Sequence, residues 1–169
     1  SYLKGLEGKF LPVFWSPVHF PRQAGTMGLL CNTQHAALRH FPTEMHSNWQ
    51  WWSIVRHARP FILNATRHEY KPLIQVVDNV ERNHKLGLLF EFAVDNGKVL
   101  VCMSNLEAIR HTPEGGQLRN AILSYMKSAE FSPTETLTSQ QLQHILTTEV
   151  RKQDIVGVKN QSDYDVQPE

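Results

Sequence analysis

The sequence predicts an α/β layered domain whose sheet is mostly parallel, flanked by helices and carrying one late β-hairpin. Three observations lead there. Short β-rich runs alternate with helical periodicity, three segments carry an apolar face at helical spacing, and Asp95-Asn96-Gly97 separates two branched-aliphatic runs as a hairpin turn does. A β-sandwich is the alternative, because the first half holds short strands and many prolines. The three amphipathic helices count against it.

A chain of 169 residues has room for one domain with a sizeable core and not for an eight-stranded barrel with accessory modules. Residues 1–151 read as that single domain, and residues 152–169, polar and without period, as a tail or linker. The opening LKGLEGKFLPVFW, which follows Ser1 and no methionine, reads as the interior of a longer protein.

Taken in order, Phe10 to Phe20 mixes β-formers with Pro12 and Pro17, which limits it to a short or edge strand. Thr26 to Cys31 suits a buried strand, and Ala36 to Leu38 one helical turn before the Phe41-Pro42 break. Ser47 is the expected N-cap of a helix in which Trp51, Ile54, Val55 and Ala58 recur at i, i+3, i+4, i+7, ending near Pro60. At 100° per residue Trp52 falls on the border of that apolar face and Trp49 nearly opposite it. Phe61 to Leu63, Leu73 to Val77 and Leu86 to Val94 are strands, the last forming the hairpin with Val99 to Met103. Pro113, after Thr112, opens a helix with the stripe Leu118, Ala121, Ile122, Tyr125, its first turn weakened by Gly115 and Gly116. Thr138 with Gln141 makes a capping box for a final helix carrying Leu142, Ile145, Leu146 and Val150.

Composition excludes several classes. Lys and Arg number 17 against 16 Asp and Glu, and no basic cluster tracks a phosphate backbone, so nucleic acid is not an expected partner. No apolar run approaches the roughly 20 residues of a membrane helix, so no membrane partner is expected either. Cys31 and Cys102 sit in the apolar runs GLLC and VLVC, read as buried structural thiols without CxxC spacing. Nine histidines invite a metal reading, but His35, His40 and His46 form no HExxH or similar array; no metal or cofactor is expected. Ser16 and Ser104 lack the GxSxG elbow of a hydrolase nucleophile.

Glycosidase chemistry needs two carboxylates flanking one bond. Glu44, Asp78, Glu81 and Glu91 are available, and their spacing singles out no pair, so no catalytic residue is assigned. Their structural readings are that Asp78 closes a strand, Glu81 and Arg82 form a solvated turn, and Glu91 pairs across the hairpin.

The segment HFPTEMHSNWQWW, His40 to Trp52, holds three of the four tryptophans. Indole faces stack on the C–H faces of sugars while Glu44, His46 and Asn48 could bind hydroxyls; the same residues could instead bury against another domain, where Trp combines area with a polar handle. The interface is the preferred reading. Trp49, Trp52, Glu44, His46 and Asn48 are the candidate contacts, with Trp15 drawn into the same neighbourhood.

FWSPVHFP (14–21), GLLCNTQHAAL (28–38), FPTEMHSNWQWW (41–52), PLIQVVDN (72–79), LGLLFEF (86–92) and KVLVCMSNL (98–106) together resemble the C-terminal region of large bacterial glycoside hydrolase family 2 proteins, the multi-domain β-galactosidase-like enzymes of polysaccharide-degrading Bacteroidetes. The resemblance covers about Phe10 to Pro133. It implies that the catalytic acid and nucleophile belong to a barrel domain outside this sequence. It also implies an α/β accessory domain similar to class I glutamine amidotransferase-like folds, lacking that family's nucleophile at Cys31 or Cys102, in an exported protein, periplasmic or extracellular. The partner implied is the catalytic domain of the same parent protein, with carbohydrate and a homo-oligomer as further partners. A departure is His35-Ala36, where His-Pro is expected, which loosens that loop. The competing functions are a self-contained small glycan hydrolase using Glu44 with a histidine, and a stand-alone carbohydrate-binding module.

Overall fold

The computed structural model describes residues 26–78 and 83–147. The Phe10–Phe20 strand, Trp15, Ser16, the Glu81–Arg82 turn, Val150 and the 152–169 tail all lie outside the described residues. Strands are β1 (Thr26–Cys31), β2 (Phe61–Ile62), β3 (Ile74–Asp78), β4 (Lys85–Val94), β5 (Gly97–Cys102) and β6 (Thr136–Leu137). Helices are α1 (Trp51–Arg56), α2 (Pro113–Lys127) and α3 (Ser139–Thr147), with a 3-10 turn at Ala36–Leu38.

All six strands form one sheet, and the sheet is mostly antiparallel. Only the short β6 runs parallel, against the end of β4. The expected mostly parallel sheet is therefore corrected, and a two-sheet sandwich is not what forms. Connection length gives the reason: residues 79–84 join β3 to β4, and residues 95–96 join β4 to β5. A parallel crossover needs a dozen residues or more, so neither link can be one.

β4 is the axis. Leu86 and Gly87 pair with both β2 and β3, and Leu89 pairs with both β3 and β5, so β3 and β6 lie along one edge of β4 and β2 and β5 along the other. The β3 register jumps from Ile74↔Leu89 to Gln75↔Gly87, leaving Leu88 as the extra residue of a bulge. That residue reverses the inside–outside alternation. Leu86 before the bulge and Leu89 and Glu91 after it share the face covered by α1 and α2, while Phe90 and Phe92 turn to the opposite face with Phe61, Leu63, Leu137 and Ile145. Gly87 sits at this reversal because a Cβ there would lie 2.6 Å from Leu63 Cδ1 and 2.7 Å from Phe90 Cδ1.

One local expectation changes. The helix after the tryptophan segment starts at Trp51 with Gln50, not Ser47, at its N-cap, and it stops at Arg56. Ser47 instead packs on β1, its Oγ 3.3 Å from where a Gly28 Cβ would stand. In the hairpin, the positive φ falls on Asp95 (48°), a residue whose short polar side chain tolerates it.

Helices α2 and α3 open at the caps expected of them, while β6 is a strand that the sequence reading lacked. Thr112 caps α2 by accepting from Gly115 N–H at 3.1 Å, and Leu118, Ala121, Ile122 and Tyr125 are its buried stripe. The capping box of α3 is reciprocal, with Thr138 N–H donating to Gln141 Oε1 at 2.8 Å and Gln141 N–H to Thr138 Oγ1 at 3.1 Å.

Gly115 carries a sharper demand than helix propensity suggests. A Cβ there would fall 2.2 Å from the Ile109 carbonyl oxygen, which Thr112 Oγ1 also holds, so the α2 entry is fixed by backbone against backbone. Gly115→Ala is expected to destabilise the chain by about 3 kcal/mol, read from its urea midpoint, as for overpacking at an unyielding neighbour. Gly97→Ala, whose nearest neighbour would be 3.5 Å away, is the comparison that should cost far less.

Candidate functional site

The three tryptophans of the 40–52 segment separate sharply. Trp51 is 0% exposed. Its indole N–H donates to Thr43 Oγ1 at 2.8 Å and its ring meets Phe41 edge-on at 5.1 Å. Ile54 and Val55 follow it into the core, as the helical period requires. Trp52 is 45% exposed, at the border of the apolar face as the period places it, and Trp49, in the turn before α1, is 87% exposed.

The segment is held from both ends. Cys31 N–H donates to the Met45 carbonyl at 2.8 Å and His46 bridges Leu30, so residues 45–46 run along the outer edge of β1. Gln50 Nε2 donates to the Pro42 carbonyl at 3.0 Å, and the amides of Trp51 and Trp52 donate to the carbonyls of Asn48 and Trp49. At the far end Ser53 Oγ donates to Glu114 on α2, a bond that holds the Glu114 carboxyl below the usual carboxylate range. Ser104 Oγ donates to the Ile54 carbonyl at 2.8 Å, tying α1 to the sheet. A rigid support therefore carries two outward indoles.

Trp49, Trp52, Asn48 and Ser47 line one shallow cavity of about 320 Å³. The two rings stand 6.2 Å apart at 57°, and the Arg56 guanidinium lies 5.9 Å over the Trp52 ring. Glu44 and His46 do not line that cavity. They pair with each other at 3.1 Å on the surface, the carboxylate facing the imidazole. Of the residues expected to act together, the structure groups Trp49, Trp52 and Asn48 and sets Glu44 and His46 apart as a second pair; Met45, 71% exposed, lies between them in sequence.

The other carboxylates are accounted for separately. Asp78 accepts from the His84 N–H at 3.0 Å, consistent with closing its strand. Glu91 does not pair across the hairpin, where Leu100 stands opposite it. Because the β4 bulge turns it toward α2, its buried carboxylate takes the Tyr125 hydroxyl at 3.0 Å and lies 3.6 Å from His35 Nε2. His35 Nδ1 accepts from Ala37 N–H at 3.3 Å, and the other ring nitrogen faces Glu91. Burial and then the neighbouring Glu91 push the Tyr125 phenol up, so it stays a donor. The His35 ring, held at Nδ1 and edge-on to Tyr125 at 5.3 Å, sets the 3-10 turn against β4 and α2. Sequence reasoning missed this cluster because its members lie far apart in the chain.

Cys31 is buried and Cys102 half-buried; both are free thiols, and burial pushes each up to about 11. Such thiols are poor nucleophiles near neutral pH. Among the described residues no group of three or more His, Cys, Asp and Glu is placed to hold a metal ion, and no helix is long and apolar enough to cross a membrane.

A family model described as a domain of unknown function, DUF8487, matches residues 1–147, and the chain belongs to that family. No curated protein matches it.

Two outcomes are expected from this geometry. Trp51→Ala should cost about 4 kcal/mol by urea unfolding, as for a large buried aromatic, whereas Trp49→Ala should change stability by less than about 0.5 kcal/mol. For the thiols, the folded chain holds its protons more tightly than the unfolded chain, whose thiols titrate near 9.0. Their contribution to stability is full below pH 9 and is lost as pH rises from 9 toward 11. Urea midpoints measured across that window should fall, and fall less steeply in a Cys31→Ala, Cys102→Ala chain.

Proposed function

We propose that this DUF8487 chain is a non-catalytic accessory domain of a β-galactosidase-like glycoside hydrolase, docking on the catalytic module of its parent through the Trp49–Trp52 surface. The observation that carries the reading is Trp49, a large indole 87% exposed on a rigidly braced turn, beside a second indole and in a cavity with two small polar residues. Exposed tryptophan of this kind is enriched where one protein surface meets another, combining contact area with a single donor. Glu44, the polar group a sugar site would recruit, is turned to His46 and does not line the cavity, which favours docking over sugar contact. The same positions weigh against a small hydrolase built on Glu44 and a histidine, since that carboxylate lies open on the surface. An exported location belongs to the proposal by resemblance. An amidotransferase-like fold does not, because the sheet is mostly antiparallel.

The test compares the isolated chain with the parent protein. Isolated, it should not turn over an aryl β-galactoside, and its tryptophan fluorescence should not respond to methyl β-galactoside. Trp49→Ala should leave the isolated chain's melting temperature unchanged while making the domain easier to cleave from the parent by limited proteolysis. Identical cleavage of wild type and variant would overturn docking, and a saturable fluorescence change lost in Trp49→Ala would turn the surface into a sugar contact.

A further inference from the structure

A second cavity, about 580 Å³, lies between the turn after β2 and helix α3, on the sheet face away from α1 and α2. Its size falls in the range of small-molecule sites. One wall is the ion pair of Arg67 and Glu135: Arg67 Nε–H donates to Glu135 Oε1 at 2.8 Å and Nη2–H to Oε2, a bidentate fork. Glu135 is buried, and its guanidinium partner is mostly exposed. Ala65, Leu137 and Ile145 supply apolar lining, and Gln140 and His144 of α3 add polar groups.

The wall is built before any ligand arrives. Lys85 Nζ donates to the Arg67 carbonyl at 2.7 Å, the His68 carbonyl at 3.2 Å and Thr66 Oγ1 at 3.3 Å, pinning the turn that carries Arg67. Lys85 N–H donates to Asn64 Oδ1 at 2.8 Å, holding the start of the same turn. The capping box fixes the start of α3 on the other side.

The chemistry of that wall selects its ligand. A guanidinium has five donors and a carboxylate about four acceptor sites; the fork uses two of each, leaving donors and acceptors side by side in one plane. A hydroxyl, which both donates and accepts, satisfies the two together. An anion would meet the Glu135 charge and a cation the Arg67 charge. Nearby Lys85 and Glu69 add one charge of each sign, so the surroundings favour neither. The apolar lining suits the C–H face of a ring. We infer that this cavity is a binding subsite for a neutral polyhydroxylated ring, a single monosaccharide unit, held by the Arg67–Glu135 fork. This inference does not rest on the docking role of the indoles, which lie in a separate cavity.

The test is a titration of the full 169-residue chain with D-galactose, followed by ¹H–¹⁵N NMR up to about 100 mM, a range that reaches weak affinities. Saturable shifts are expected at the Gln140 side-chain amide and the Arg67 Nε–H, unchanged in Trp49→Ala. Gln140→Ala should weaken binding by about fivefold, the loss of one hydrogen bond. Arg67→Lys keeps the charge and removes the fork, and should abolish binding in a chain whose spectrum is otherwise folded. Should Arg67→Lys fail to fold, Gln140→Ala alone decides. No shifts at these groups, shifts at the Trp49 indole instead, or the same shifts with inorganic phosphate and not galactose would each overturn the proposal.

Discussion

A bulge of one residue in strand β4 sets most of what this molecule presents. The strand is hydrogen-bonded along both edges and packed on both faces, so each side chain between Leu86 and Phe92 must enter one of two cores. With strict alternation, Leu86, Phe90 and Phe92 would share a face. The extra Leu88 breaks that parity and sends the phenylalanines toward α3 while Leu89 and Glu91 face α2. A slip of one residue would exchange the two sets, placing rings of the α3 core against α2 and a carboxylate among Phe61, Leu63 and Ile145. The bulge is therefore the register lock of the sheet.

From that lock the two surfaces of interest follow by different routes. On one face, Glu91 receives Tyr125 and lies beside His35, which steadies the chain entering the tryptophan segment; α1 then plants Trp51 in the core so that Trp49 and Trp52 stand outside. Burying a carboxylate is costly without partners, and the hydroxyl of Tyr125 with the imidazole of His35 offsets that cost. On the other face, Phe90 and Phe92 support Leu137 and Ile145, and Tyr70 lies against Phe92 while its hydroxyl donates to the Glu91 carbonyl. This packing brings the Arg67 turn and the Glu135 segment to one place although 68 residues separate them.

Much of the local structure was legible in the chain. The 3.6-residue period found the buried faces of α1 and α2 and set Trp52 at the border of one, because helix geometry alone fixes which side chains share a face; Trp49 precedes α1 and is exposed by the turn instead. Thr138 with Gln141 announced the start of α3, and Asp95-Asn96-Gly97 the hairpin, since both signals act over a few bonds. Ser47 misled as a cap. Its hydroxyl suits one, but the turn at residues 48–50 delays the helix and β1 claims its neighbourhood. Gly115 read as a weak point of α2 and is instead a contact that only glycine fits, because the Ile109 carbonyl arrives from outside the helix. Of the candidate contacts, the indoles and Asn48 came together, while Glu44 and His46 paired with each other.

By itself the sequence indicated most of the described helices and strands, though not β6 or the true start of α1, and which face of each helix is apolar. These follow from periodicities and caps that act within a few residues. Tertiary structure decided the direction of the strands, the parity of β4, the partner of Glu91 and the fork of Arg67 with Glu135. Each of those depends on hydrogen bonds between distant segments, and whether two segments meet is set by chain connection and packing, which no local pattern records.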